Sequence, residues 1–259
     1  MNTNLVTALA GAFALTASAI LVVFPAASRA DEHPASHWAY SGAEDPGHWG
    51  GLDPAYAACS KGHVQSPIDI AHAQPAELPP LRFSYADTPL NIVDNGHTIQ
   101  ITVAPGSTFT VGDKTFALKQ FHFHHPAEEH VNGKSFPLVA HLVHQDADGH
   151  LAVVAVLFEQ GAANKLLDSL WSNIPGEKNA VRELPAVLVH TQALLPADLG
   201  YFTFAGSLTT PPCSEGVTWY VLKQHLTVSA QQVATFAQIY PADARPIQPT
   251  NGRAILQSK

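Results

Sequence analysis

Positive charge is scarce in this chain: 13 Lys and Arg stand against 21 Asp and Glu, for a formal net charge of −8. No basic stripe gathers the few cations, which argues against a phosphate-backbone partner. Cysteine is rarer still, with two residues, Cys59 and Cys213, far apart in the chain. They cannot close a four-ligand structural metal site with any short motif. Internal repeats, low-complexity runs and a linker to a second domain are also missing, so 259 residues read as one large domain with a substantial core.

Long apolar runs are confined to the beginning. "LVTALAGAFALTASAILVVFPAASRA" ends in small residues and is followed by Asp31 and Glu32. It reads as a secretory signal cleaved after Ala30, giving a mature domain over residues 31–259 and a periplasmic or secreted protein. The competing reading is a retained membrane anchor, because Leu5 to Ala27 is nearly long enough to span and the leading "MNTN" has no Lys or Arg. Cleavage would remove Arg29 and take the charge to −9. In an oxidising compartment Cys59 and Cys213 are expected to pair. The alternative is two separate buried thiols.

Histidine, by contrast, is plentiful, with fifteen residues. In "QFHFHH", Gln120 to His125, strand alternation points His122 and His124 to one face and Phe121 and Phe123 to the other. In "LVAHLVH", Leu138 to His144, the same period places Val139, His141 and Val143 together, opposite Ala140, Leu142 and His144. Asn132-Gly133 lies between the two segments and is a strong tight-turn signal. The segments are therefore predicted to be antiparallel neighbours that share His122, His124 and His141 on one face. Three neutral imidazoles suit zinc and leave a fourth position open. His125, His130 and His144 fall off that face.

Strand-like segments dominate the middle of the chain, among them "LNIVDNG", "HTIQITV", "TFTVGDKTFAL", "HLAVVAVLFEQ", "YFTFAGSL" and "VTWYVL". Two helices are predicted. One spans Asn164 to Ile174; the other begins at the N-cap Ser229 with Gln232 three positions on, and stops before Pro241. Its apolar face carries Val233, Phe236, Ala237 and Tyr240. The fold class is mainly β (α+β): a sheet-centred domain with short peripheral helices.

From "HWAYSG" and "HWG" through "QSPIDI", "DNGHTIQI", "QFHFHHPAEEH", "AHLVH" and "GSLTTPPCSEGVTWYVL" to "ARPIQPTNGR", the chain resembles the exported bacterial α-class carbonic anhydrases. The resemblance implies a large, mostly antiparallel twisted sheet with zinc at the bottom of a conical cleft. It also implies reversible hydration of CO2 to bicarbonate and a proton by a zinc-held hydroxide. By matching position, His122, His124 and His141 hold the zinc, and Thr209 bonded to Glu129 orients the hydroxide. Val143, Val153, Leu208, Val217 and Trp219 form the apolar CO2 pocket, and Thr210 lines the substrate side. His97 is the proton shuttle, with Tyr40 and Asn95 ordering waters beside it, and Gln120 is the partner of His122. Implied partners are CO2, bicarbonate, and sulfonamide or anion inhibitors, with no nucleic acid; a homodimer is left open.

Two positions depart from the family pattern. Val139 stands where the family commonly has an acidic residue accepting the ring N–H of the third ligand, which leaves His141 without that acceptor. Asp243 replaces an Asn, a mild change if the contact there uses the main-chain carbonyl. Two other functions compete with catalysis: a catalytically silent relative serving as a binding module, and a periplasmic zinc buffer, which should hold more than one tight zinc per chain.

Overall fold

Alternating β-branched and aromatic residues punctuated by Gly, Asn and Asp turns build a thirteen-stranded sheet in the computed structural model, which describes Met1 and residues 36–259. The chain divides into two units, Met1–Pro34 and Ala35–Lys259. The predicted leader falls in the first and lies outside the described residues; everything below concerns the second. No helix among the described residues is long and apolar enough to cross a membrane.

Ten of the strands run in the order Val181–Val189, Thr88–Asp94, Ile99–Thr102, Lys114–His124, Leu138–Gln145, Leu151–Gln160, Glu215–Leu222, Tyr201–Ser207, Leu256–Ser258, Gln74–Ala76, and Leu81–Ser84, Thr108–Val111 and Leu226–Val228 pair off this path. Most neighbours are antiparallel; Leu151–Gln160 pairs in parallel with Glu215–Leu222, and Leu256–Ser258 with Gln74–Ala76. The expected mostly antiparallel sheet is therefore the fold, with parallel joints toward one side. "TFTVGDKTFAL" is a hairpin, Val111 paired with Lys114 across Gly112-Asp113, and Gly112 has φ 60°. Such a left-handed φ is nearly free for glycine.

Both predicted helices form, each ending sooner than expected: the first stops at Trp171, before Ile174, and the second at Ala237, before Tyr240. Lys165–Trp171 is capped by the Asn164 side chain, and Ala230–Ala237 by a reciprocal Ser229–Gln232 capping box, which satisfies amides that a helix start leaves bare. They pack on one face of the sheet, where Leu167, Leu170, Trp171 and Phe236 join Phe121, Phe123, Leu142 and Val154 in the larger core. Burying each phenyl ring contributes roughly 1.5–3 kcal/mol. The opposite face carries a smaller cluster built on Val139, Val153, Val217 and Trp219. A third cluster gathers Trp49, Tyr56, Cys59 and Cys213, and the two cysteines are disulfide-bonded, as expected.

Candidate metal centre

The ligand strand changes faces partway along. Phe116 and Leu118 face the larger core, yet so do Phe121 and Phe123. This parity switch is made by a bulge at Lys119, where the pairing with Leu138–Gln145 skips from Leu118–His144 to Gln120–Val143. One extra residue re-aims everything that follows it. Gln120, His122 and His124 thereby turn to the smaller-cluster side, and His122 lies directly across from His141. The Asn132-Gly133 turn exists, with φ 49° and 77°, but it closes a short Val131–Lys134 bridge inside the connection and does not join the ligand strands directly.

One ring nitrogen from each of His122, His124 and His141 lies within 4.8 Å of the others. Their remaining nitrogens are engaged outward. His122 Nδ1–H donates to Gln120 Oε1 at 2.8 Å, and His124 Nδ1–H donates to the main-chain oxygen of Asp243 at 2.7 Å. His141 Nε2–H donates to Glu129, at 2.9 Å to Oε1 and 3.2 Å to Oε2. Fixing the proton on the outer nitrogen leaves a lone pair on the inner one, which is the tautomer a metal ligand needs. His124 Nε2 is buried with no hydrogen-bond partner, a position a metal ion would satisfy. Burial, with His124 and His141 alongside, holds His122 well below the ordinary imidazole range and so neutral.

Two adjacent carboxylates occupy this neighbourhood, and the structure corrects the expectation for both Glu129 and Val139. Glu129 was expected against Thr209; its carboxylate is instead hydrogen-bonded to His141. It thus provides the acceptor that Val139 lacks. Burial pushes its carboxyl up, but the nearby His141 ring and the hydrogen bond from it outweigh that and hold it below the usual range. Val139 is fully buried among Val153, Ala155 and Leu157, so its isopropyl group serves packing. Glu128 turns the other way. Its Oε1 accepts the Arg245 N–H at 2.8 Å, while Oε2 is buried without a partner, 3.6 Å from His124 Nε2 and 3.8 Å from His141 Nδ1.

Asp243 keeps the contact that matters through its main chain. Burial pushes its carboxyl up to about 7.

Above the triad lies a cleft of about 130 Å³ lined by Trp38, Tyr40, Asn95, Thr98, Gln100 and Thr210 together with His97, Gln120, His122 and His124. A larger groove of about 390 Å³ runs along Thr88–Asn91 and Thr102–Pro105 and contains no histidine, so volume does not select the site. His97 is stacked on Trp38 with ring centroids 3.6 Å apart and planes 8° from parallel. Burial, then His37 and Lys178, lower its pKa from 6.5. Asn95 Oδ1 accepts the N–H groups of His97 and Thr98, shaping the turn that carries His97. The Tyr40 hydroxyl is buried without a protein partner.

The five residues expected to form an apolar pocket do come together. Val153, Val217 and Trp219 belong to one cluster, with Val143 and Leu208 packed against it. Val153 pairs with Val143 on one side and Trp219 on the other, and the Trp219 ring stands edge-on to His141 at 4.9 Å. Thr209 is buried in the loop between Ser207 and Glu215, which the Cys59–Cys213 bond ties down.

His125 bonds the main chain of Pro137, His130 sits in the connection, and His144 lies in the opposite core. A second group of possible ligands, Asp146, Asp148 and His150, is a hairpin turn closed on itself: Asp146 accepts the main-chain N–H groups of Asp148 and His150 and the ring of His150. Sequence reasoning missed Glu128, Trp38 and Arg245. The buried Arg245 guanidinium donates to Gln65 Oε1 and to the main-chain oxygens of Ser66 and Cys59.

A family model described as eukaryotic-type carbonic anhydrase matches residues 44–259. The carbonic anhydrase of Pectobacterium carotovorum is 47% identical over 221 residues, 85% of this chain and 90% of that protein. Among solved structures, a hyperthermostable carbonic anhydrase identified from an active hydrothermal vent chimney matches with a TM-score of 0.84 at 42% identity, over 86% of this chain and 100% of that one. The α-carbonic anhydrase from Thermovibrio ammonificans, in complex with the inhibitor sulfanilamide, matches at 0.83 and 41%, over 87% and 100%.

Proposed function

The chain belongs to the α-type carbonic anhydrases, enzymes of CO2 hydration, and from that premise we propose that His122, His124 and His141 hold a zinc ion and that the cleft above them converts CO2 to bicarbonate and a proton. The observation that carries the reading is the convergence of three inner nitrogens whose outer partners are all in place, with His124 Nε2 buried and without a hydrogen bond. Bound zinc supplies the Lewis acidity that turns water into a nucleophile at neutral pH.

The protein's own residues aim the reaction and clear its proton. We assign the acceptor of the Thr209 hydroxyl to Glu128, since the Glu129 oxygens are on His141 and Glu128 Oε2 is buried without a hydrogen bond. A hydroxyl that has donated its proton to Glu128 can only accept from the attacking oxygen, which fixes that oxygen's lone pair. CO2 carries no charge, and the wall of Val143, Val153, Leu208, Val217 and Trp219 offers it an apolar seat beside His141. His97, kept neutral to lower pH than an exposed imidazole, accepts the released proton through water ordered near Tyr40 and passes it to buffer. The sulfanilamide complex of the Thermovibrio relative supports sulfonamide inhibition of this protein. The disulfide supports export to an oxidising compartment.

Stopped-flow CO2 hydration with zinc analysis tests this. The wild-type chain should hold one zinc and be active. Glu128→Gln should keep the zinc and lose on the order of 100-fold in kcat/KM, the scale for a misdirected reacting group. Undiminished kcat/KM in Glu128→Gln would remove that residue from its role, and a zinc-free, inactive wild type would remove the whole reading.

A further inference from the structure

The three ligands are not held alike. His122 leans on a neutral amide oxygen and His124 on a neutral main-chain carbonyl, whereas the partner of His141 is a carboxylate with no exposed surface. Strand geometry offers another place for a partner of His141: position 139 lies two residues earlier on the same face, directly across from His124. In this chain that position is an isopropyl group in an apolar cluster, which can accept nothing.

We infer that Glu129 is the anionic positioning residue of the third metal ligand, supplied by the connection between the ligand strands and not by the ligand strand itself. The inference rests on the reading of His122, His124 and His141 as the zinc site. The connection is built to hold Glu129 still. His130–Val131, immediately after it, pairs in parallel with Asp69–Ile70. The Asn132 N–H donates to Ile70 O at 3.1 Å, and the Gly133 N–H donates to Asp69 Oδ1 at 3.0 Å. On its other side Glu128 is pinned by the Arg245 N–H. With both neighbours docked, the Glu129 side chain meets His141 from the connection's side of the site, leaving position 139 free for packing.

The test is zinc release from the loaded full chain into excess chelator, followed by absorbance, in wild type, Glu129→Gln, Glu129→Ala, Val139→Glu and the double variant Glu129→Ala/Val139→Glu. Glu129→Ala should release zinc about 10- to 100-fold faster, the usual scale for losing a partner behind a ligating histidine. Glu129→Gln, which keeps an acceptor oxygen without the charge, should fall between. Val139→Glu alone should release zinc no more slowly than wild type, because His141 is already satisfied. The same substitution in the Glu129→Ala background should slow release, since a carboxylate on the strand face can then reach His141. In the NMR spectrum of the zinc-loaded protein, the His141 ring N–H proton should be slow to exchange in wild type and fast in Glu129→Ala. Equal release from wild type, Glu129→Gln and Glu129→Ala overturns the inference while the zinc site stands, and so does a double variant no slower than Glu129→Ala. If Val139→Glu does not fold, Glu129→Gln and the ring N–H signal decide. A wild-type chain that retains no zinc overturns the metal reading instead, and this inference with it.

Discussion

Acid should destabilise this protein through His144, a histidine outside the proposed metal site. It is fully buried in the larger core, where the Tyr85 hydroxyl lies 2.7 Å from Nε2 and the Phe109 ring stands edge-on at 4.6 Å. Burial lowers its pKa from 6.5 to about 3, with only partial offset from the main chain of Leu142 and Ala152. The sign follows from linkage: below 6.5 the unfolded chain takes up a proton that the native chain refuses until about 3, so stability present near neutrality is lost as pH falls through that window. Each pH unit is worth about 1.4 kcal/mol, so moving from pH 7 to pH 5 costs about 2 kcal/mol and the full window about 5. His144→Leu removes the titration but leaves Tyr85 unpaired, a cost of about 1–3 kcal/mol at pH 7. The unfolding free energies of the two proteins, from urea titrations between pH 7 and 4, should therefore converge and cross near pH 5. The His122, His124 and His141 triad and all other titrating groups are common to both, so they cancel in the difference. A gap that stays constant from pH 7 to pH 4 would refute the reasoning.

Three further outcomes are expected. His122→Ala, His124→Ala and His141→Ala should each lose zinc and CO2 hydration, measured by metal analysis and stopped flow; full activity in any one would remove that residue from the site. His97→Ala should slow turnover in dilute buffer while sparing kcat/KM, with added imidazole restoring much of the rate; because its pKa is lowered, the acid limb of kcat in the wild type should lie below pH 6.5. Breaking Cys59–Cys213, which spans 154 residues, should lower the unfolding free energy by about 2–5 kcal/mol and reduce activity by freeing the loop that carries Thr209, read by urea titration with and without reductant.

What could be read from the sequence was whatever has a period. Alternation placed His122, His124 and His141 on one face and Phe121 and Phe123 on the other, and the structure agrees because a strand repeats every two residues. The bulge at Lys119 was also written there, as the apolar series Phe116, Leu118, Phe121, Phe123 changing parity, though the alternation was read only from Gln120 onward. Val181–Val189 was missed because it is an edge strand: Arg182, Glu183 and Pro185 hide its pattern, and Leu184 to Leu188 is irregular in register.

The carboxylates are a different case. "AEEH" lies in a connection without periodicity, so nothing local says which of two adjacent glutamates bonds the outer nitrogen of His141 and which lies by the inner nitrogens of His124 and His141; the Arg245 N–H, 117 residues away, and the pairing with Asp69–Ile70 settle it. The same lack of a long-range view made Val139 read as a lost acceptor. A buried ring N–H that loses its partner costs about 1–3 kcal/mol, enough that the space around it will be filled by any acceptor the fold can bring near. An absence on a strand is therefore a statement about one position, while the chemical requirement belongs to the nitrogen, and Glu129 meets it from outside the strand.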